Sequence, residues 1–202
     1  EAATVNVTGG ELTNYEGAVI AGNGQGVRYD GTIINISGGK IISKSEKNPT
    51  RDNSAIYHPQ YGVLNISGGY IEGDDGINMK SGTVKISGGT IVGTVDGDNI
   101  QHQGDGSVKT GAALSITSAN NYTGNMTVEI TGGTFKSNSA YSVMELIPKN
   151  MADKMLADKP NVIYIKITGG NFVSAKGYEQ IYVKEAFDRL EISNNYTVKL
   201  GK

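Results

Sequence analysis

Cysteine is absent, so neither a disulfide framework nor a thiolate metal site is open to this 202-residue chain. Proline is scarce, at 4 residues, which removes Pro-rich linkers and collagen-like repeats. Tryptophan is missing and phenylalanine numbers 3, leaving 11 tyrosines to make most aromatic contacts. The net charge of -2, with no lysine or arginine stripe, offers no footprint for nucleic acid. No apolar run approaches the ~18 residues of a helical span, so membrane insertion is not predicted, and no charged-then-apolar secretory leader opens the chain.

What is plentiful is glycine, 29 residues, about twice the usual ~7 % share. Much of it sits in one repeated phrase: VNVTGGEL from Val5, INISGGKI from Ile34, LNISGGYI from Leu64, VKISGGTI from Val84, VEITGGTF from Val128 and IKITGGNF from Ile165. LEISNNYT from Leu190 is an altered copy. Apolar residues alternate with polar spacers ahead of each Gly-Gly, the period-two signature of a strand buried on one side. Gly-Gly then supplies a corner needing positive φ or close approach to the next layer. The apolar residue after it (Leu12, Ile41, Ile71, Ile91, Phe135 or Phe172) starts a second strand and should point inward.

A third, looser segment follows each copy: GAVIAG, SAIYHP, DGINMK, DNIQHQ, YSVMEL and EQIYVK. Their alignment places Val19, Ile56, Ile77, Ile100, Val143 and Ile181 in one column. The glycine pairs recur after 29, 30, 20, 44 and 37 residues, so the shortest interval is a bare coil and the longer ones carry excursions. A unit of ~20 residues with three short strands cannot bury its own apolar side chains and must stack on copies of itself. The predicted fold is all-β: a single-stranded, right-handed parallel β-helix of about six to seven coils, one domain over residues 1–202. The alternating run Ala113–Thr117 is read as an extra strand on an excursion, and residues 149–160 as a small helical or loop excursion. The start at Glu1, with no cap, reads as a piece of a larger protein.

Two acidic turns carry the clearest chemistry. GDDGIN and DGDNIQ occupy the same place in consecutive coils, so Asp74 and Asp75 should lie one coil from Asp96 and Asp98. Four such carboxylates repel unless solvated, protonated or bridged, and Ca2+ would bridge them. Asp-Gly turns with no ion are the competing reading. GDDGI also resembles a segment of polygalacturonases, although that family's other motifs have no counterpart here. A polysaccharide lyase would need a base beside calcium, for which Lys80 is the candidate, read first as a solvated surface lysine. His58 and His102 fall in one column with Met79 between them, too far apart to share zinc, and read as satisfied or surface residues.

Beside the apolar third-strand column runs an outward one: Ile20, Tyr57, Asn78, Gln101, Met144 and Tyr182. Tyrosines and amides on a flat sheet suit sugar rings, against the competing reading of an ordinary amphipathic face. With Lys80, this makes Tyr57, Asn78, Gln101 and Tyr182 the candidate carbohydrate-binding residues.

The IxISGGxI strands together with GDDGIN resemble a bacterial extracellular family of parallel β-helices described as carbohydrate-binding domains, within the pectate-lyase-like superfamily. The resemblance implies secretion or a cell-surface location, calcium in the coil turns at Asp74 and Asp75, and binding of acidic polysaccharide without turnover. Similar phrases occur in bacterial surface adhesins. The expected function is non-catalytic polysaccharide binding. The alternatives are a polysaccharide lyase or glycoside hydrolase, and an adhesin or stalk with a host or cell-wall protein as partner.

Overall fold

The computed structural model describes residues 2–22, 31–44, 53–96, 101–102, 108–117, 126–147, 163–175, 181–182 and 196–197. These form strands only, with no helix among the described residues, and nearly all strand pairs are parallel. The class is all-β and solenoid-like. A first face stacks β1 (Thr4–Asn14), β3 (Ile33–Ser43), β5 (Val63–Ile66), β8 (Gly82–Ile86), β13 (Met126–Ile130), β16 (Ile163–Ile167) and β19 (Tyr196–Thr197). A second face stacks the latter halves of β1 and β3 with β6 (Tyr70–Gly73), β9 (Thr90–Gly93), β14 (Thr134–Ser137) and β17 (Asn171–Val173). Because β1 and β3 run unbroken through their Gly-Gly corners, the two faces are one curled sheet. The third face is a separate sheet of β2 (Ile20–Ala21), β4 (Ile56–His58), β7 (Ile77–Met79), β12 (Leu114–Ile116), β15 (Val143–Glu145) and β18 (Ile181–Tyr182).

Alternation produces the core. Ile34, Leu64, Val84, Val128 and Ile165 stand in one register on the first face, all buried, as do Ile36, Ile66, Ile86, Ile130 and Ile167 beside them. On the second face Ile41, Ile71, Ile91 and Phe135 are fully buried, and Phe135 stacks on Phe172 with ring centroids 5.0 Å apart. Each such aliphatic side chain contributes about 2 kcal/mol by leaving water. Leu12, expected to point inward with them, is 43 % exposed because β1 is the outermost strand and nothing packs before it among the described residues.

The two glycines of the phrase have different tasks. A Cβ on Gly88 would stand 2.3 Å from the Ser67 carbonyl oxygen of the neighbouring coil, whereas Gly89 takes φ of +86°. One allows the stacking distance and the other turns the corner.

The third face departs from the expected register. Ile20, not Val19, pairs with Ile56, and Ala21 with Tyr57. Leu114–Ile116, expected on an excursion, instead fills the face between β7 and β15. Gln101–His102 forms β10, which pairs antiparallel with β11 (Val108–Lys109) in a small sheet off the stack. DNIQHQ follows its glycine pair at the usual distance, but LSI has apolar residues on both sides of a polar one and matches the lumen. Gln101 is therefore not in the outward column; Ser115 is, between Asn78 and Met144. Ile100, the run 149–160 and Leu190–Ile192 lie outside the described residues, and the strand beside β16 is Tyr196–Thr197.

Candidate functional site

The acidic turn joins the second face to the third. After β6, the Asp74-Asp75-Gly76 turn feeds β7, and its stacking partner is Thr110–Ala112. The Thr94 and Val95 amides bond the Asp74 carbonyl, so the next coil follows this one only as far as Val95 before departing. Asp96 is exposed beyond that point, and Asp98 lies outside the described residues.

Asp75 is fully buried. Its Oδ1 accepts from the Thr110 amide at 2.8 Å, the Gly111 amide at 2.7 Å and the Thr110 hydroxyl at 3.1 Å, while Oδ2 accepts from the Ser115 hydroxyl at 2.8 Å. Asp74 Oδ2 sits 2.7 Å from the Lys109 ammonium and accepts from Asn53 Nδ2 at 3.1 Å. Asn53 in turn accepts the Gly17 amide at 2.7 Å. Adjacent carboxylates thus reach different partners, one a cation and the other a ring of neutral donors. Among the described residues no three His, Cys, Asp or Glu side chains form a group that would hold a metal.

Lys109, Thr110 and Ser115 are the residues that sequence reasoning missed. Ser115 was detectable, because the period-two pattern of Leu114–Ile116 marks it as a lumen strand's outward residue. Lys109 and Thr110 carry no such mark.

Three expected sugar-binding residues do meet. Tyr57 and Asn78 are register neighbours, and Lys80 Nζ donates to the Tyr57 hydroxyl at 3.0 Å and lies 5.4 Å from its ring centroid. Their environment differs from the expected open platform. Lys80 is fully buried, not solvated, and Asn78 is buried while donating to the Val108 carbonyl at 2.8 Å and facing the Thr117 hydroxyl at 3.4 Å. A second apolar cluster of Val108, Ala112, Met144 and Leu146, with Tyr141 against it, closes the outer side of this face. Tyr57 remains half-buried; Tyr182 is in β18, and its side chain is outside the described residues.

His58 points into the lumen in register with Met79, fully buried. Neither ring nitrogen has a hydrogen-bond partner among the described residues. Burial pushes its imidazole down to about 4, outweighing the Gly62 backbone, which acts the other way. It is neither a surface nor a satisfied histidine. His102 is in β10, away from that column.

The open polar surface is on the first face. Asn35 Nδ2 donates to Asn6 Oδ1 and Asn65 Nδ2 to Asn35 Oδ1, both at 2.9 Å, forming an amide ladder. The same register continues as Lys85 and Glu129, paired at 3.5 Å. Beside it runs a row of hydroxyls, and together Asn65, Ser67, Lys85, Ser87, Glu129 and Thr131 line a shallow groove of about 280 Å³. Ser67, Ser87 and Thr131 are exposed.

Comparison with family models, with curated proteins and with solved structures finds no match for this chain.

Proposed function

We propose that the chain is a non-catalytic carbohydrate-binding module, a right-handed parallel β-helix of about six to seven coils, displayed outside a bacterial cell. The observation that carries this reading is the first-face groove, where the Ser67, Ser87 and Thr131 hydroxyls repeat from coil to coil beside Asn65, Lys85 and Glu129, with Ile66 and Ile86 between the two rows. Sugars are bound through fixed polar groups of this kind. The position shifts from the third face, where Asn78 and Lys80 are buried, to the first. Calcium at Asp74 and Asp75 is not needed for binding there. Retention of the purified chain on a panel of immobilised neutral and acidic polysaccharides, with calcium and with chelator, tests the reading. Failure to be retained on any of them would sink it.

A second reading, polysaccharide cleavage, draws support from the buried Lys80 donating to the half-buried Tyr57, a pair able to move a proton. Unsaturated or reducing ends released during the same incubations, and lost in Tyr57→Phe, would favour it over simple binding.

A further inference from the structure

We infer that the first-face groove is a track for an extended, neutral pyranose polymer lying parallel to the solenoid axis, one sugar per coil. The inference rests on the carbohydrate-binding reading and adds the ligand's class and direction.

The geometry of a parallel stack supplies the first part. Register pairs Asn35 with Asn65, Asn65 with Lys85 and Lys85 with Glu129, so equivalent side chains repeat at the strand separation. That separation is ~4.8 Å, and a pyranose in an extended chain is roughly as long. A ligand running across the coils therefore meets one hydroxyl at each rung, Ser67, Ser87 or Thr131, whereas one running along a strand meets a single rung.

Hydrogen-bonding capacity supplies the second. Within the ladder Asn35 uses one N–H and one carbonyl lone pair and Asn65 uses one N–H, whereas an amide has two N–H groups and two lone pairs. The remaining donor and acceptor, with the adjacent hydroxyl of Ser37, Ser67 or Ser87, match the mixed donor and acceptor character of sugar hydroxyls. Charge supplies the third. Among the described residues that line the groove the charged ones are Lys85 and Glu129, which pair at 3.5 Å and cancel, so the groove itself selects neither a polyanion nor a polycation.

The test measures calorimetric affinity for β-1,4-linked xylo-oligosaccharides of two to six residues and for oligogalacturonates of the same lengths. Affinity for the neutral series should rise several-fold with each added residue until about four rungs are covered. Asn65→Leu and, separately, Ser87→Ala should weaken the longest xylo-oligosaccharide by about tenfold, one polar contact, with an unchanged melting temperature. Equal affinity for dimer and hexamer would overturn the axial track while leaving carbohydrate binding intact. Tighter binding of the oligogalacturonates would overturn the neutral class alone. Absence of binding to either series, with no retention on any immobilised polysaccharide, would overturn both the track and the function beneath it.

Discussion

The acidic turn and the first-face ladder are built from similar polar material and differ in where their hydrogen bonds end. At the turn, Asp75 is enclosed and both carboxylate oxygens accept from Thr110, Gly111 and Ser115, so its bonding is spent on holding the departing chain against the coil. On the first face, Asn35 and Asn65 bond each other and still present capacity to solvent. Density of polar residues thus points equally to both regions, and saturation separates them. Removing a partner from the enclosed region should cost stability, and from the open region, binding.

The largest expected effect is at the turn. Asp75→Ala strands the buried Thr110 and Gly111 amides and leaves the Thr110 and Ser115 hydroxyls, 2.6 Å apart, only each other, and should lower stability by about 4 kcal/mol, read from denaturant midpoints. Lys109→Met should act comparably, because it leaves the buried Asp74 carboxylate, 2.7 Å from that ammonium, without its cation. If either variant is as stable as the parent, the turn is not the clasp described, and the comparison between the two regions breaks.

Next is His58. Its folded imidazole is held at about 4 against an ordinary 6.5, so between those values the unfolded chain takes up a proton that the fold refuses. Stability is full above pH 6.5 and falls as pH drops toward 4, by up to about 3 kcal/mol, then declines no further on this account. His58→Leu should flatten that part of the stability profile. A profile as steep in the variant as in the parent would place the acid sensitivity elsewhere.

Gly88→Ala sharpens the role of the corner. Its Cβ would meet the Ser67 carbonyl oxygen at 2.3 Å, and backbone must shift to admit it, at about 2 kcal/mol. Gly9, equivalent in the phrase but with nothing within 4 Å of its Cβ position, should accept alanine with far less loss.

These positions also show how far the sequence could be read. Strand faces, inward columns and the glycine corners follow from a period of two and a repeated phrase, and Ile41, Ile71, Ile91 and Phe135 fall where that pattern sets them. The third face was legible only in part. Spacing from Gly88 favoured DNIQHQ, but an excursion of this size resets the count, and Leu114–Ile116 takes the place. The acidic site was argued from that stacking, and the partners it did not foresee are Thr110 and Ser115, which face Asp75. Burial of Asn78 was not legible either, because β11 folds back over it and Val108 accepts its amide, a long-range event with no local signature.

The smallest expected effect is the most direct test of the contrast. Lys85 and Glu129 form an ion pair by the same chemistry as Lys109 and Asp74, at 3.5 Å, but with both side chains well exposed. Water screens such a pair and ordering two flexible side chains offsets much of the attraction, so Lys85→Met should change stability by less than about 0.5 kcal/mol. Chemical denaturation of Lys85→Met and Lys109→Met side by side, at low and at moderate salt, measures the difference. The first should be small and diminish with salt, the second large and nearly salt-independent. Equal losses would mean that burial does not distinguish the two regions, and the assignment of one to holding the fold and the other to meeting a ligand would fall with it.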